Sequence, residues 1–138
     1  VSNVAIKKAK EKAKTAKAHV QFIQANATEL NITGKPFDFV FDRGCFHAID
    51  DADRIKYAKM LEQITKDESI FLLLCGNAKE PREDGPPTVT EEEIREIFSW
   101  LFDFIWIRDF RFGFDSLKPS EHGPLGYSCL MKRKKIPT

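Results

Sequence analysis

The run SIFLLLCG, residues 69–76, narrows the fold more than any other part of the chain. Apolar residues without alternation, ended by a glycine, mark a strand buried on both faces of a helix-covered parallel sheet. Such a strand needs helices before and after it and other strands alongside. Upstream, FDFVFD (37–42) alternates Phe37, Phe39 and Phe41 against Asp38, Val40 and Asp42, the period of a strand. A helix follows, with Tyr57, Leu61 and Ile64 on its apolar face. Downstream lies a proline-rich loop, NAKEPREDGPPTV, long enough to suggest a functional segment. Thr90 and Glu93 then have the spacing of a capping box, opening a helix that turns Ile94, Ile97, Phe98 and Leu101 inward. HVQFIQ (19–24) reads as a further short strand, followed by a polar loop through Asn26, Thr28 and Gly34. FIWIRDFRF and GYSCLMKRK read as two closing strands joined through Asp115, Pro119 and Gly123. Strands alternate with helices and a strand pair ends the chain. The expected fold is α/β: one domain over residues 1–138, its sheet mostly parallel with a C-terminal antiparallel pair.

Charge excludes some partners. Twenty-two Lys and Arg against 21 Asp and Glu leave a net charge of +1, which argues against a bulk polyanion. Six lysines do crowd the segment from Lys7 to Lys17, where Ser2 precedes a run of strong helix formers. Ile6, Ala9, Ala13 and Ala16 share one helical face, suited to close approach to a sheet, and the lysines read as the solvated remainder. Three irregularly spaced cysteines form neither a disulfide framework nor a zinc motif. They suit a reducing, cytoplasmic setting. No apolar run approaches the ~20 residues that span a bilayer, so no membrane partner is expected.

Immediately after FDFVFD come Arg43, Gly44, Cys45, Phe46 and His47. Cys45 and His47 stand only two residues apart, whereas nucleophilic dyads usually draw partners from distant segments, and no third orienting group is evident. His19, His47 and His122 have no metal-ligand spacing. Neither GxGxxG nor GxxxxGK[ST] occurs. Position is the more informative property. Ligands of open parallel sheets bind at the carboxyl ends of strands. Asn26, the Asp42–His47 segment and the Gly76–Pro87 loop all follow predicted strands at one edge and outline a ligand crevice. Asp42 also suits a cap on the following helix, and His47 a residue satisfied within its first turn.

FDFVFDRGCFHAI, followed by R-x-x-Y at Arg54–Tyr57, resembles the fourth-strand motif of class I S-adenosylmethionine-dependent methyltransferases. The thiopurine methyltransferase and tellurite-resistance groups are the most similar. SIFLLLCG, GPPTVTEEEIREIF and GPLGYSCLMKRK are similar to later elements of that Rossmann-like fold, and HVQFIQANATEL to its third strand and adenine loop. The resemblance implies transfer of a methyl group from S-adenosyl-L-methionine to a small-molecule acceptor by direct displacement. It implies cofactor contacts from Asn26, Ala27 and Thr28 near the adenine, and from Asp42, Arg43, Gly44 and Cys45 near the methionine part. Cys45 and His47 would be the catalytic pair at the reacting centre, with His47 contacting the acceptor or removing its proton. Phe46, His47, Gly85, Pro86 and Pro87 would line the acceptor side. The family's first strand, glycine-rich loop and second strand have no counterpart here. The chain is therefore expected to be an inactive portion of an enzyme, with exposed strand edges that favour a homodimer. A second reading stays open from the residues alone: a non-catalytic α/β domain that binds a partner strand or a polyanion.

Overall fold

A computed structural model describes residues 2–32, 34–114, 117–118 and 121–136. Asp115 and Pro119 of the predicted closing loop lie outside them. Helix α1 (Asn3–Thr15) begins as expected, with the Ser2 hydroxyl accepting from the Ala5 amide. None of its residues is buried, and the stripe of Ile6, Ala9 and Ala13 is only partly covered. Strand β1 (Phe37–Arg43) leads through two 3₁₀ turns, Phe46–Ala48 and Asp51–Asp53, into α2 (Arg54–Ile64). The remainder is β2 (Thr65–Asn77), β3 (Thr88–Val89), α3 (Glu91–Phe98), β4 (Phe102–Arg111) and β5 (Leu125–Arg133).

The strands form one sheet in the order β1-β2-β5-β4, with β3 pairing the end of β2. β1 and β3 run parallel to β2, while β5 runs antiparallel to both β2 and β4. The sheet is mixed, with a parallel part made by β1, β2 and β3 and the expected antiparallel pair of β4 and β5 at its C-terminal end. FDFVFD and SIFLLLCG are adjacent and parallel, and the closing strands pair antiparallel as expected.

Helices α2 and α3 supply the core on one face. Phe46, Tyr57, Phe71, Phe98 and Phe102 pack ring against ring, with neighbouring centroids 4.9–6.4 Å apart. The capping box of α3 forms as read: the Thr90 hydroxyl accepts from the Glu93 amide, and the Glu93 carboxylate accepts from the Thr90 amide. Buried Arg54 joins the two helices by donating to Glu93, while also pairing with Asp51.

Two predicted strand features differ. Residues 19–24 are not a strand: HVQFIQ has the right side chains, but no strand of the sheet lies beside it to complete a ladder. β2 is also not buried on both faces. Ser69, Phe71, Leu73 and Cys75 are buried, while the alternating Ile70, Leu72 and Leu74 are only half-covered. Register places Phe39 beside Ile70 and Phe41 beside Leu72, with Leu130 and Trp106 continuing the row. The apolar run is explained by one core face and one partly open apolar face.

Candidate functional site

The site begins where β1 stops. Gly44 adopts φ +89°, which an L side chain rarely tolerates, and its amide donates to the Leu74 carbonyl. The chain then coils away from the sheet. Buried Asp42 holds this turn: its carboxylate accepts from the amides of Cys45 and Phe46 at 2.8 and 3.0 Å and from the Tyr57 hydroxyl. Burial beside that carboxylate pushes the Tyr57 hydroxyl well above its ordinary pKa, so it remains a donor.

Where β1 departs, β3 takes over beside β2. The approach is so close that a Cβ on Gly76 would stand 2.0 Å from the Pro87 carbonyl oxygen. Between the two strands the Gly76 amide has no ladder partner from β1. Instead it donates to Nδ1 of His47 at 2.8 Å. Burial holds the His47 pKa below its usual value, opposed in part by the Asp42 charge.

In front of this join lies a cavity of about 270 Å³ lined by Arg43, Gly44, His47, Asp84, Pro86, Phe112, Phe114 and Pro124. Arg43 donates to the Gly113 carbonyl at 3.0 Å and its guanidinium stands 5.5 and 5.6 Å from the Phe112 and Phe114 ring centres. Asp84 is tied to Arg82, whose hydrogen bonds and charge lower its pKa. The combination of an apolar wall with a few fixed polar groups is typical of a small-molecule site. A wider groove of about 580 Å³ lies between residues 28–32 and α2, but Glu29, Asn31, Lys56, Lys59 and Gln63 give it a solvated lining away from the strand ends.

The predicted site residues therefore separate. Arg43, Gly44, His47 and Pro86 come together at the cavity. Cys45 is exposed beside it, and desolvation together with the Asp42 charge raises its thiol pKa, the reverse of an activated nucleophile. Phe46, expected at the acceptor, is wholly buried among Tyr57, Phe98 and Arg54, because the turn held by Asp42 points it into the core. Asp42 likewise spends its carboxylate on the turn. Asn26 closes a local turn, its side-chain oxygen accepting from the amide and hydroxyl of Thr28, while Ala27 packs against the core. Thr28 lines the wider groove, not the cavity. Gly85 forms a turn with Arg82, and neither it nor Pro87 lines the cavity. The sequence reading missed Phe112, Phe114, Pro124 and Asp84; the alternating FRFGF at 110–114 was the available signal.

This sheet has known counterparts. A SAM-dependent methyltransferase from Methanosarcina mazei superposes with a TM-score of 0.75 over 99% of this chain and 80% of its own, at 15% identity. The 1,6-didemethyltoxoflavin-N1-methyltransferase of Burkholderia thailandensis, solved with 1,6-didemethyltoxoflavin and S-adenosylhomocysteine, gives 0.63 over 92% and 56%, at 18% identity. In sequence, an uncharacterized methyltransferase of Schizosaccharomyces pombe is 40% identical over 73 residues, which are 52% of this chain and 50% of that protein. The chain thus spans about half the length of the curated relatives it matches. The family model for thiopurine S-methyltransferase matches residues 2–128, nearly everything from the start of α1 into β5. By that match, and with the sheet of a methyltransferase beneath it, the chain belongs to the thiopurine S-methyltransferase family.

Proposed function

We propose that the Arg43–His47 turn and the cavity before it form the acceptor side of a methyltransferase that uses S-adenosyl-L-methionine and a small-molecule acceptor. The observation that carries this is the parting of β1 and β3 at the carboxyl end of β2, which leaves a small, mostly apolar cavity where such sheets bind ligands. S-adenosylmethionine supplies, when bound, a methyl group on a positively charged sulfur. The residues present suit that end of the molecule. Gly44 keeps open the space before the imidazole, since a Cβ there would stand 3.4 Å from His47 Nε2. Asn26, Ala27 and Thr28 do not line this cavity.

What the chain contributes is placement. Phe112, Phe114, Pro86 and Pro124 exclude water and seat an acceptor, while His47 and Arg43 orient it, so that proximity supplies much of the rate. The free cysteines suit a cytoplasmic setting. No glycine-rich phosphate- or nucleotide-type loop occurs in the sequence, so the cofactor's carboxylate and ribose lack dedicated partners in this chain. We assign turnover to a longer family member and none to these 138 residues alone. Two or three lost charge-assisted contacts, each on the order of 1.5–3 kcal/mol, weaken binding by roughly a thousandfold or more.

Isothermal titration with S-adenosylhomocysteine tests the reading. The expected outcome is tight binding by a longer family member that carries a glycine-rich loop and weak or no binding by this chain. Binding by neither protein counts against cofactor use altogether.

A further inference from the structure

Resting on that reading, we propose that His47 serves the cavity as a neutral hydrogen-bond donor through Nε2–H, and that the acceptor receives its methyl group on an atom already free of its proton.

The geometry gives the tautomer without any choice of hydrogen placement. A backbone amide only donates, so the 2.8 Å contact from the Gly76 amide requires a lone pair at Nδ1. In a neutral imidazole the proton then resides on Nε2. Gly76 is fixed by pairing on both sides, through Thr88 of β3 and Gly126 of β5, so its amide cannot turn aside. Protonation of Nδ1 would set two donors against each other in a buried contact. Nε2 lies on the Gly44 side of the ring, and His47 itself lines the cavity. Among the described residues no protein group accepts from Nε2, and no buried side-chain nitrogen or oxygen is left without a partner. Nε2–H is therefore presented to the cavity, where it needs an acceptor from outside the protein.

The other titratable groups here are equally unsuited to taking a proton. Asp84 is held as a carboxylate by Arg82, Asp42 is engaged with two amides and Tyr57, and the Cys45 thiol is pushed up. Arg43 only donates. With His47 and Arg43 offering donors and the one lining carboxylate, Asp84, already paired with Arg82, the fitting substrate is an acceptor that is anionic at its reacting atom at working pH. With S-adenosylmethionine bound, its lone pair would take up the methyl carbon as the carbon–sulfur pair returned to sulfur. The product leaves neutral, and no proton moves to the protein.

Long-range ¹H–¹⁵N correlation spectra of this chain at neutral pH read the ring directly. The expected result is a pyridine-type Nδ1 and a protonated Nε2 for His47, with scalar coupling across the hydrogen bond from the Gly76 nitrogen. A protonated Nδ1, or an imidazolium, overturns the assignment and needs no variant to see. In a full-length family member, His47→Gln restores an N–H near the Nε2 position but no base. We expect its kcat/KM to stay within about tenfold of wild type, while His47→Ala loses about 10- to 100-fold, the value of one hydrogen bond to a charged group. Equal loss in Gln and Ala variants with the variants folded also overturns it. Absence of turnover in the wild type counts against the methyltransferase reading and leaves the tautomer result standing.

Discussion

Asp42 does at residue scale what a strand end and a helix start usually divide between them. Its two oxygens accept from Cys45, Phe46 and Tyr57, so one buried carboxylate fixes both the turn and α2. Asp42→Ala leaves these donors unmatched and is expected to cost about 3 kcal/mol. Tyr57→Phe, which removes one of the three bonds, costs about 1 kcal/mol. Urea unfolding of both variants checks the order, and equal losses would contradict it. His47 adds a pH dependence. Its pKa is lowered by folding, so below the ordinary value of 6.5 the unfolded chain takes up a proton that the folded chain refuses. That stability contribution is complete above pH 6.5 and is lost as pH falls through the folded value. Denaturation midpoints at pH 7.5 and 5.5 should fall further in wild type than in His47→Gln. At this scale the sequence was half legible. The cap at Asp42 is a local pattern, readable from three or four residues. The partner of His47 is a backbone amide 29 positions away, and no side-chain pattern announces an amide.

Elements were more legible than residues where their partners lie in the chain. The α3 capping box is specified within four residues and forms as read, so Thr90→Ala should lower stability by about 1 kcal/mol in thermal or urea unfolding. β1 and β2 pair with their apolar residues in register, Phe39 beside Ile70 and Phe41 beside Leu72, a match visible only once the strands are placed. HVQFIQ shows the limit: alternation states that a segment suits a sheet, not that a neighbour is available. The phenylalanines of β1 were legible as one face but not as the open one. The contrast gives a test. Phe71→Ala, in the ring cluster, should cost about 3–5 kcal/mol. Phe39→Ser, at 56% exposure, should change stability by no more than about 0.5 kcal/mol. Equal losses would mean that the exposed face is packed in solution.

For the molecule as a whole, that open face and the free side of β1 coincide. Phe37, Phe39 and Phe41 are each about half exposed, beside an edge whose outer backbone groups have no strand partner among the described residues. Such an edge is a template for association. We expect concentration-dependent self-association in sedimentation velocity, reduced by Phe39→Lys; a monomer at all concentrations would contradict it. Sheet order also carries a temporal consequence. β5 is the last strand in the chain, yet it stands between β2 and β4 and is the partner that joins them. β4 therefore has nowhere to dock until Leu125–Arg133 has been made and has inserted beside β2. Closing that long loop precedes the contacts that reward it, which slows folding. During synthesis, the order of assembly departs from the order of translation. β4 emerges from the ribosome first and must wait, with its aromatic residues uncovered, for the strand behind it.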